Sequence, residues 1–240
     1  MALTAFTPLD GALLIDKPQT WTSHDVVAKV RNTFHLDKVG HCGTLDPMAT
    51  GLLILVLGKA TKLSERFMAS DKVYEGALRL GETTDSYDAD GEVTSENLIP
   101  LMNVDELNEA AKSFLGDQQQ IPPMVSAIKV GGKPLYKLAR EGKDIPREPR
   151  LVHIYTYKFS EYEEPFGYFR VSCTKGTYVR SLAHDLGQKL GCGAHLTRLR
   201  RLGSGRFDVA DATPLAEVLK WDPAELERDV IPFLKLKAYE

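Results

Sequence analysis

The spacing of apolar residues divides the chain into short strands and amphipathic helices. Residues 13–15 form an apolar run that ends at a Lys-Pro turn signal, and residues 52–57 form a longer run. Apolar and polar positions alternate over residues 73–80, which predicts a strand with one buried face. We also predict paired strands at residues 151–162 and 166–174, and a strand or hairpin at residues 196–207. The predicted strands are thus distributed from the N-terminal part of the chain to its C-terminal part.

Apolar residues recur at helical spacing in further segments, at residues 22–34, 59–68, 104–115 and 179–190. Thr22 or Ser23 caps the first of these helices, and Gly191 ends the last. A final helix begins at Pro214. Because helices and strands mix without regular βαβ alternation, the pattern predicts an α+β fold rather than a doubly wound sheet.

The length of 240 residues is enough for one sizeable core, and we predict a single domain over residues 1–240. Residues 118–150 are rich in Pro, Gly and basic side chains and lack the periodicity of a core element. We interpret that segment as an excursion from the domain, and residues 216–240 as a short C-terminal tail.

Composition excludes several classes of protein. No run approaches the roughly 18 apolar residues of a membrane helix, and residues 1–6 lack the basic start of a signal peptide. Cys42, Cys173 and Cys192 are widely spaced and form no C-x-x-C pair. These features argue against a disulfide scaffold and against a zinc site, and they predict a cytoplasmic protein.

The net charge of −3 conceals two basic segments. Residues 129–150 carry seven bases against three acids, and residues 175–206 carry seven bases against one acid. Basic segments that share a face can follow the phosphates of a polyanion. The alternative is an ordinary solvated face.

The stretch from His41 to Gly51 holds a single carboxylate, Asp46, among residues that restrict the backbone. Pro47 fixes its own φ and favours an extended Asp46, while Gly43 and Gly51 permit positive φ. The apolar run that follows would place this carboxylate at the mouth of a buried strand, where a nucleophile or general base has rigid support. The alternative is a turn in which the carboxylate caps backbone amides.

Two other candidate sites are weaker. Cys42 lies beside His41, but adjacent residues in an extended loop point apart, which disfavours a cysteine–histidine dyad. Residues 84–91 are acidic like a calcium loop, but the EF-hand pattern would put Ser86 first and Asn97 twelfth, and both fail. We interpret residues 84–91 as an acidic turn that pairs with a distant arginine.

A second distinctive segment runs from Cys173 to Ser181, where a strand ends at Gly176 and a helix follows. Arg180, near the start of that helix, is either a surface residue or a bidentate partner of the Asp46 carboxylate. The second arrangement would fix the orientation of the carboxylate and keep it ionised at neutral pH.

Seven segments occur in the order and spacing of the motifs of one known family. They are residues 14–18 (LIDKP), 40–53 (GHCGTLDPMATGLL), 72–74 (KVY), 84–91 (TDSYDADG), 121–127 (IPPMVSA), 175–180 (KGTYVR) and 191–196 (GCGAHL). Over roughly residues 11–215 the chain resembles the tRNA pseudouridine-55 synthases, the TruB branch of the pseudouridine synthases. The resemblance implies the pseudouridine synthase fold, a mixed and mainly antiparallel sheet flanked by helices and loops.

The family converts a uridine in the T-loop of transfer RNA, at position 55, to pseudouridine. The resemblance therefore implies an isomerase that needs no cofactor and no metal. The base is flipped out of the loop, detached from C1′, turned and rejoined through C5. Asp46 matches the catalytic carboxylate; whether it attacks the ribose or the base, or removes the C2′ proton, is left open.

The resemblance also implies roles for other side chains. Tyr74 matches the tyrosine that stacks on the target base and helps to remove the C5 proton, and Arg180 matches the arginine paired with the catalytic carboxylate. Asp85 and Asp88 are predicted to orient that arginine. The other substrate-binding residues that it implies are His41, which fills the space left by the flipped nucleotide, Tyr178 and Leu199, which line the uracil pocket, and Lys17.

Residues 118–150 resemble the RNA-gripping insertion of the family, and the RNA-binding residues implied there are Lys129, Lys133, Lys137 and Arg140. Two features depart from many relatives: Cys42 replaces a common Thr, and the chain ends at Glu240, where relatives carry a small C-terminal domain of the PUA type. We therefore expect no PUA domain and more RNA binding through the two basic segments.

The expected partner is transfer RNA, with no membrane, no required protein partner and a monomeric chain. Three alternatives stay open at this point. They are a synthase for another RNA, a synthase that needs a guide RNA, and a non-catalytic RNA chaperone on the same fold.

Overall fold

The computed structural model describes residues 7, 9–126, 128–143 and 145–236, with the backbone alone at positions 129, 130 and 140. Within these residues the strands are β1 (Gly11–Lys17), β2 (Val39–His41), β3 (Thr50–Leu57), β4 (Lys72–Leu80), β5 (Glu82–Thr84), β6 (Val93–Glu96), β7 (Gly116–Gln120), β8 (Lys129–Val130), β9 (Lys133–Pro134), β10 (Arg150–Glu163), β11 (Phe166–Cys173), β12 (Ala194–Ser204), β13 (Phe207–Asp208), β14 (Thr213–Pro214) and β15 (Ile231–Pro232).

The helices in the same residues are α1 (Ser23–Thr33), α2 (Ser64–Met68), α3 (Val104–Lys112), α4 (Leu135–Arg140), α5 (Val179–Leu190), α6 (Leu215–Val218), α7 (Pro223–Asp229) and α8 (Phe233–Leu236). Short 3-10 helices cover Gly58–Leu63 and Val209–Asp211. In the part of the chain that the structure describes, no helix is both long and apolar enough to cross a membrane.

Two helix ends follow directly from the sequence. Thr22 is the N-cap of α1, and its side chain and that of Asp25 form a capping box. Gly191 ends α5 with a φ of 78°, a left-handed conformation that glycine adopts without a steric penalty. Both boundaries confirm the sequence prediction.

The chain divides into two compact units. The single domain over residues 1–240 stays a prediction. The first unit comprises Met1–Tyr74 and Arg200–Glu240, and the second comprises Glu75–Leu199. The chain passes from one unit to the other within β4 and again within β12.

The first unit is built around β3. This strand is antiparallel to β1 from Gly11↔Leu57 to Lys17↔Gly51 and antiparallel to β2. Its first two residues pair in parallel with β12, at Arg200↔Thr50 and Arg201↔Gly51. β14 pairs with β1 in parallel. Buried apolar residues from β1, β3, α2 and β13 contribute to one core cluster, which includes Leu14, Leu52, Ile54, Val56, Phe67 and Phe207.

The second unit is built around β10, which is antiparallel to β11 and to β7. Helix α3 packs against β10, where Asn108 donates to Phe159 O and accepts from Phe159 N. β5 and β6 form a separate hairpin. The α+β fold class predicted from the mixed pattern is confirmed.

The excursion is shorter than predicted. Residues 118–120 belong to β7 and pair with residues 150–152 of β10, with Gln120 directly opposite Arg150. The excursion therefore covers residues 121–149. It leaves the sheet after Gln120 and returns to it at Arg150, which faces Gln120 across the strand pair. Inside it lie the small β8–β9 hairpin and α4.

Candidate active site

Asp46 lies in a loop between β2 and β3 in the first unit. The ladder of these strands ends at His41↔Leu55, followed by a hydrogen bond from Cys42 N to Ile54 O of 2.9 Å. Ser23 Oγ accepts from Leu45 N at 2.9 Å and lies 3.2 Å from Leu45 O. The residue before Asp46 is thereby tied to the start of α1, and the Asp46 side chain is half-buried.

Two glycines permit the shape of this loop. Gly43 has a φ of 103° and Gly51 a φ of 95°, and other residues rarely adopt such values. A Cβ atom at Gly51 would lie 2.3 Å from Arg201 O. The predicted need for glycine at both positions is confirmed.

Lys17 is fully buried beneath the loop. Its ammonium donates to Trp21 O at 2.7 Å, to Pro18 O at 2.9 Å and to Pro47 O at 3.5 Å. Burial lowers the pKa of Lys17 to about 8, although the nearby Asp46 carboxylate acts in the opposite direction. Its role in substrate binding stays a prediction, and its visible contacts here are with carbonyls of the protein.

The lowered pKa of Lys17 predicts a pH-dependent stability. From pH 8 to 10.5 the unfolded chain binds the proton more tightly than the folded chain, so the free energy of unfolding should rise with pH. Between pH 7.5 and pH 9.5 this one group should add about 2 kcal/mol. Urea unfolding of the wild type and of Lys17→Met at both pH values isolates the effect. A difference between the two proteins that stays constant with pH would contradict the assignment.

His41 ends β2 and Cys42 begins the loop, and both side chains are uncharged at neutral pH. Burial, followed by the charges of His24 and Arg201, lowers the pKa of His41 to about 4. The His41 ring packs edge-on against the His24 ring, with centroids 5.6 Å apart. Burial raises the pKa of Cys42 to about 12, so its thiol is not a ready nucleophile. The structure thus supports the sequence argument against a cysteine enzyme.

Tyr74 lies in β4, with 9% of its surface exposed. The buried face predicted for this strand is observed, because positions 74, 76, 78 and 80 are all buried, but Ala77 of the opposite face is buried as well. An aromatic ring held on a strand face is suited to stacking on a base. That role remains a prediction.

Two arginines of the basic segment at residues 175–206 are bound to other groups of the protein. Arg201 is 1% exposed and donates to the carbonyls of Gly43 and Leu52. Arg200 forms a bidentate ion pair with Asp16, at 2.9 and 2.7 Å. A count of basic residues along the sequence cannot reveal these contacts, because Asp16, Gly43 and Leu52 are each more than 140 positions away from the arginine that they bind.

Arg180, in the second unit, is 2% exposed and connects three segments. Nη1 donates to Ser86 O at 3.0 Å and lies 3.4 Å from Asp88 Oδ2, and Nη2 donates to Val125 O at 2.8 Å. Its guanidinium therefore joins the start of α5 to the acidic turn and to the excursion. The predicted orientation of Arg180 by Asp88 is confirmed, whereas the Asp85 carboxylate accepts from Glu92 N. Pairing with Asp46 stays a prediction.

The start of α5 is anchored by a residue that sequence reasoning assigned to the excursion. Gln120 is 4% exposed; its Nε2 donates to Tyr178 O at 3.0 Å and its Oε1 accepts from Tyr178 N at 2.7 Å. Ser181 Oγ donates to Ile121 O at 3.2 Å. Tyr178 is half-buried at the N-cap of α5, and Leu199 is buried in β12. The sequence gives no local signal for this anchor, because no strand is predicted at residues 116–120.

The excursion carries exposed cations. Lys133 and Lys137 are exposed, and Lys133 lies 4.0 Å from Glu141. The side chains of Lys129 and Arg140 lie outside the described residues, so the structure does not test those two predictions. Beside the excursion, the rings of Tyr87 and His184 stack with centroids 3.8 Å apart in the lining of a cavity of about 360 Å³.

No group of three or more His, Cys, Asp or Glu side chains that could hold a metal ion is found among the described residues. The loop between β2 and β3 offers one half-buried carboxylate, Asp46, close to the buried cations Lys17 and Arg201. Such a set suits acid–base or nucleophilic chemistry on a flat, polar ring bound in a pocket.

Comparison with known proteins gives concordant matches. Residues 31–179 match the TruB family pseudouridylate synthase N-terminal domain, and residues 180–234 match the tRNA pseudouridylate synthase B C-terminal domain. The tRNA pseudouridine synthase B of Opitutus terrae is 52% identical over 93% of this chain and 93% of its own length. The protein of the same name from Haemophilus influenzae is 43% identical over 93% of this chain and 73% of its own.

Solved structures give the same result for the fold. A Cbf5-Nop10-Gar1 complex contains a chain that matches with a TM-score of 0.76 and 28% identity, over 97% of this chain and 63% of that chain. An H/ACA RNP bound to a substrate RNA containing 2′-deoxyuridine matches with a TM-score of 0.73 and 26% identity, over 96% of this chain and 62% of that chain. The pseudouridine synthase fold is therefore confirmed, and the chain belongs to the TruB family of pseudouridylate synthases.

Proposed function

We propose that this chain is a tRNA pseudouridine synthase that isomerises a uridine in the T-loop, at position 55. The observation that carries the proposal is the 52% identity, over 93% of both chains, to a tRNA pseudouridine synthase B. The carboxylate of Asp46, in a loop held by hydrogen bonds, supplies the nucleophile or base that such a reaction needs, and the buried Arg180 supplies a cation to orient it. The same comparisons speak against a non-catalytic chaperone.

The reaction needs a flipped base, because C1′ and C5 cannot be reached in a stacked loop. The C1′–N1 bond breaks, a C1′–C5 bond forms, the proton leaves C5, and N1 gains a proton from solvent. Atoms and electrons balance without a redox cofactor. Asp46 starts this rearrangement as the one carboxylate of the loop, and Lys17 holds the loop from beneath.

The other side chains bind and orient the target. Tyr74 stacks on the uracil and helps to remove the C5 proton, while Tyr178 and Leu199 line the pocket. The uncharged imidazole of His41 fills the space left by the flipped nucleotide. Arg180 orients the Asp46 carboxylate.

Tritium release tests the function directly. The purified chain is given a transfer RNA that carries [5-³H]uridine only at its T-loop target, and a second transfer RNA labelled only at other uridines serves as control. Release from the first alone is the expected result. Release from the second alone would point to another uridine of transfer RNA, and release from neither, with RNA binding intact, would point to another RNA target. Release that requires an added guide RNA would point to a guided synthase.

We further propose a cytoplasmic monomer that acts on transfer RNA without a protein partner. The relatives at 43–52% identity are named tRNA pseudouridine synthase B, which supports transfer RNA as the substrate. Light scattering of the purified chain, alone and with transfer RNA, tests the oligomeric state. Turnover by that same preparation tests the independence from partners.

RNA binding should depend on the excursion. Replacing Lys133, Lys137 and Arg140 together by Ala removes three cations, so the Kd for transfer RNA should rise and the slope of log Kd against log salt should fall by about 2 to 3. Filter binding at several salt concentrations measures both. The matched control replaces three exposed lysines outside both basic segments, Lys112, Lys158 and Lys220. An unchanged slope in the first variant would place RNA binding outside the excursion.

A further inference from the structure

Arg201 is a fully buried cation that binds both ends of one loop. Its Nε donates to Leu52 O at 2.7 Å, and its Nη2 donates to Gly43 O at 3.1 Å. These carbonyls lie on the two sides of the loop that carries Asp46 at its centre. The guanidinium is planar, so its donors hold fixed directions and fix the distance between the two carbonyls.

The Arg201 guanidinium lies where the hydrogen-bonded pairing of β2 and β3 ends. β2 and β3 pair as far as His41↔Leu55, and the hydrogen bond from Cys42 N to Ile54 O is the last between them. Gly43 lies one residue beyond that bond, and Leu52 lies on the opposite side of the opening. The guanidinium thus bridges the two strands where they diverge into the loop.

The backbone of Arg201 is itself anchored to the far side of the loop. Arg201 pairs with Gly51 in parallel strands, so close that a Cβ atom at Gly51 would lie 2.3 Å from Arg201 O. Its side chain therefore starts at the C-terminal end of the loop and reaches the N-terminal end at Gly43. Neither end can shift without losing a charge-assisted hydrogen bond.

The charge of Arg201 also acts on the groups around the loop. It contributes to the lowered pKa of Lys17 and to the lowered pKa of His41. Burying a guanidinium costs solvation free energy, and an apolar side chain of similar volume avoids that cost. Packing alone therefore does not account for an arginine here, whereas directed donors to two loop carbonyls do.

We propose that Arg201 is a positioning residue that sets the conformation of the Asp46 loop by bridging Gly43 O and Leu52 O. The inference rests on the proposed function for its catalytic consequence, but the effect on the loop is independent of any activity. A carboxylate displaced by about 1 Å can lose about 100-fold in rate. Removing the bridge should therefore slow the chemical step while RNA binding persists.

The test compares Arg201→Met, Arg201→Lys and the control Arg200→Met. Arg200 is the neighbouring position, and its ion pair with Asp16 involves no carbonyl of the Asp46 loop. Hydrogen exchange of peptides covering residues 42–52 is measured for each folded variant. The single-turnover rate and the Kd are then measured with a saturating T-loop substrate.

In Arg201→Met we expect faster exchange confined to residues 42–52, a rate at least about 100-fold lower, and a Kd within about threefold of the wild type. Arg201→Lys keeps the charge but lacks the planar fork, so its rate should be intermediate; this variant carries the test if Arg201→Met does not fold. Arg200→Met should match the wild type in loop exchange and rate.

Unchanged exchange at residues 42–52 in folded Arg201→Met would overturn the inference, as would a loss confined to the Kd. If the wild type itself forms no pseudouridine, the proposed function fails. The exchange result still decides whether Arg201 fixes the loop.

Discussion

Asp46→Asn should abolish pseudouridine formation while leaving RNA binding intact. The amide has nearly the shape of the carboxylate but is neutral, so it cannot serve as a nucleophile or as a base. We expect a decrease of about 10⁴-fold or more in single-turnover rate, with a Kd within about threefold of the wild type. Tritium release and filter binding on the same preparations separate these two effects.

The matched control for this change is Asp37→Asn, because Asp37 is exposed on the surface. Its rate should equal that of the wild type. A second variant, Asp46→Ala, guards against slow deamidation, which would restore a carboxylate in the Asn variant. Near-normal product from folded Asp46→Ala would remove Asp46 from the mechanism.

The elements of this fold follow largely from local sequence. The capping box of Thr22 and Asp25, the left-handed Gly191 and the alternation along β4 are set by residues a few positions apart. Local propensity and periodicity describe such features well. The position of Asp46, in a loop shaped by Gly43 and Gly51, follows from the same local rules.

The environment of the charged residues does not follow from local sequence. Arg180, Arg200 and Arg201 are three of the seven bases of one segment, yet two are buried and the third is held in a bidentate ion pair. Their partners lie 55 to 184 positions away along the chain. Composition describes charge along a sequence, whereas the fold decides which charges reach solvent.

The end of β7 shows a related limit of sequence patterns. Residues 118–120 are three glutamines without an apolar pattern, so periodicity gives no sign of a strand. Pairing with β10 places them in the sheet, and Gln120 becomes a buried anchor for Tyr178. Tertiary pairing here overrides weak strand propensity.

The electrostatics of the Asp46 loop rests on buried cations whose partners are carbonyls. Lys17 and Arg201 are both fully buried, and each donates to backbone oxygens at the loop. Backbone carbonyls satisfy the donors without supplying a second negative charge. Asp46 is therefore the carboxylate of a loop whose backbone is held by two buried cations, Lys17 and Arg201.

Arg180→Lys should reduce the rate of the chemical step by about 10²- to 10³-fold, because an ammonium cannot replace a planar fork. In the wild type the guanidinium binds Ser86 O and Val125 O at once, through two different nitrogens. A lysine brings a single nitrogen, so at least one of these buried carbonyls loses its donor. The excursion and the acidic turn would then be held less firmly against α5.

Two further variants help to interpret the reduced rate of Arg180→Lys. Arg200→Lys controls for the exchange of arginine for lysine: it weakens a partly exposed bidentate pair with Asp16 and should stay within about threefold of the wild-type rate. Asp88→Asn keeps the shape of the carboxylate that faces Arg180 but removes its charge, so its effect should be smaller, about 10-fold. Folded Arg180→Lys with a wild-type rate would show that Arg180 serves only to join the excursion to the acidic turn. A reduced rate with an unchanged Kd would instead show that Arg180 contributes to the chemical step.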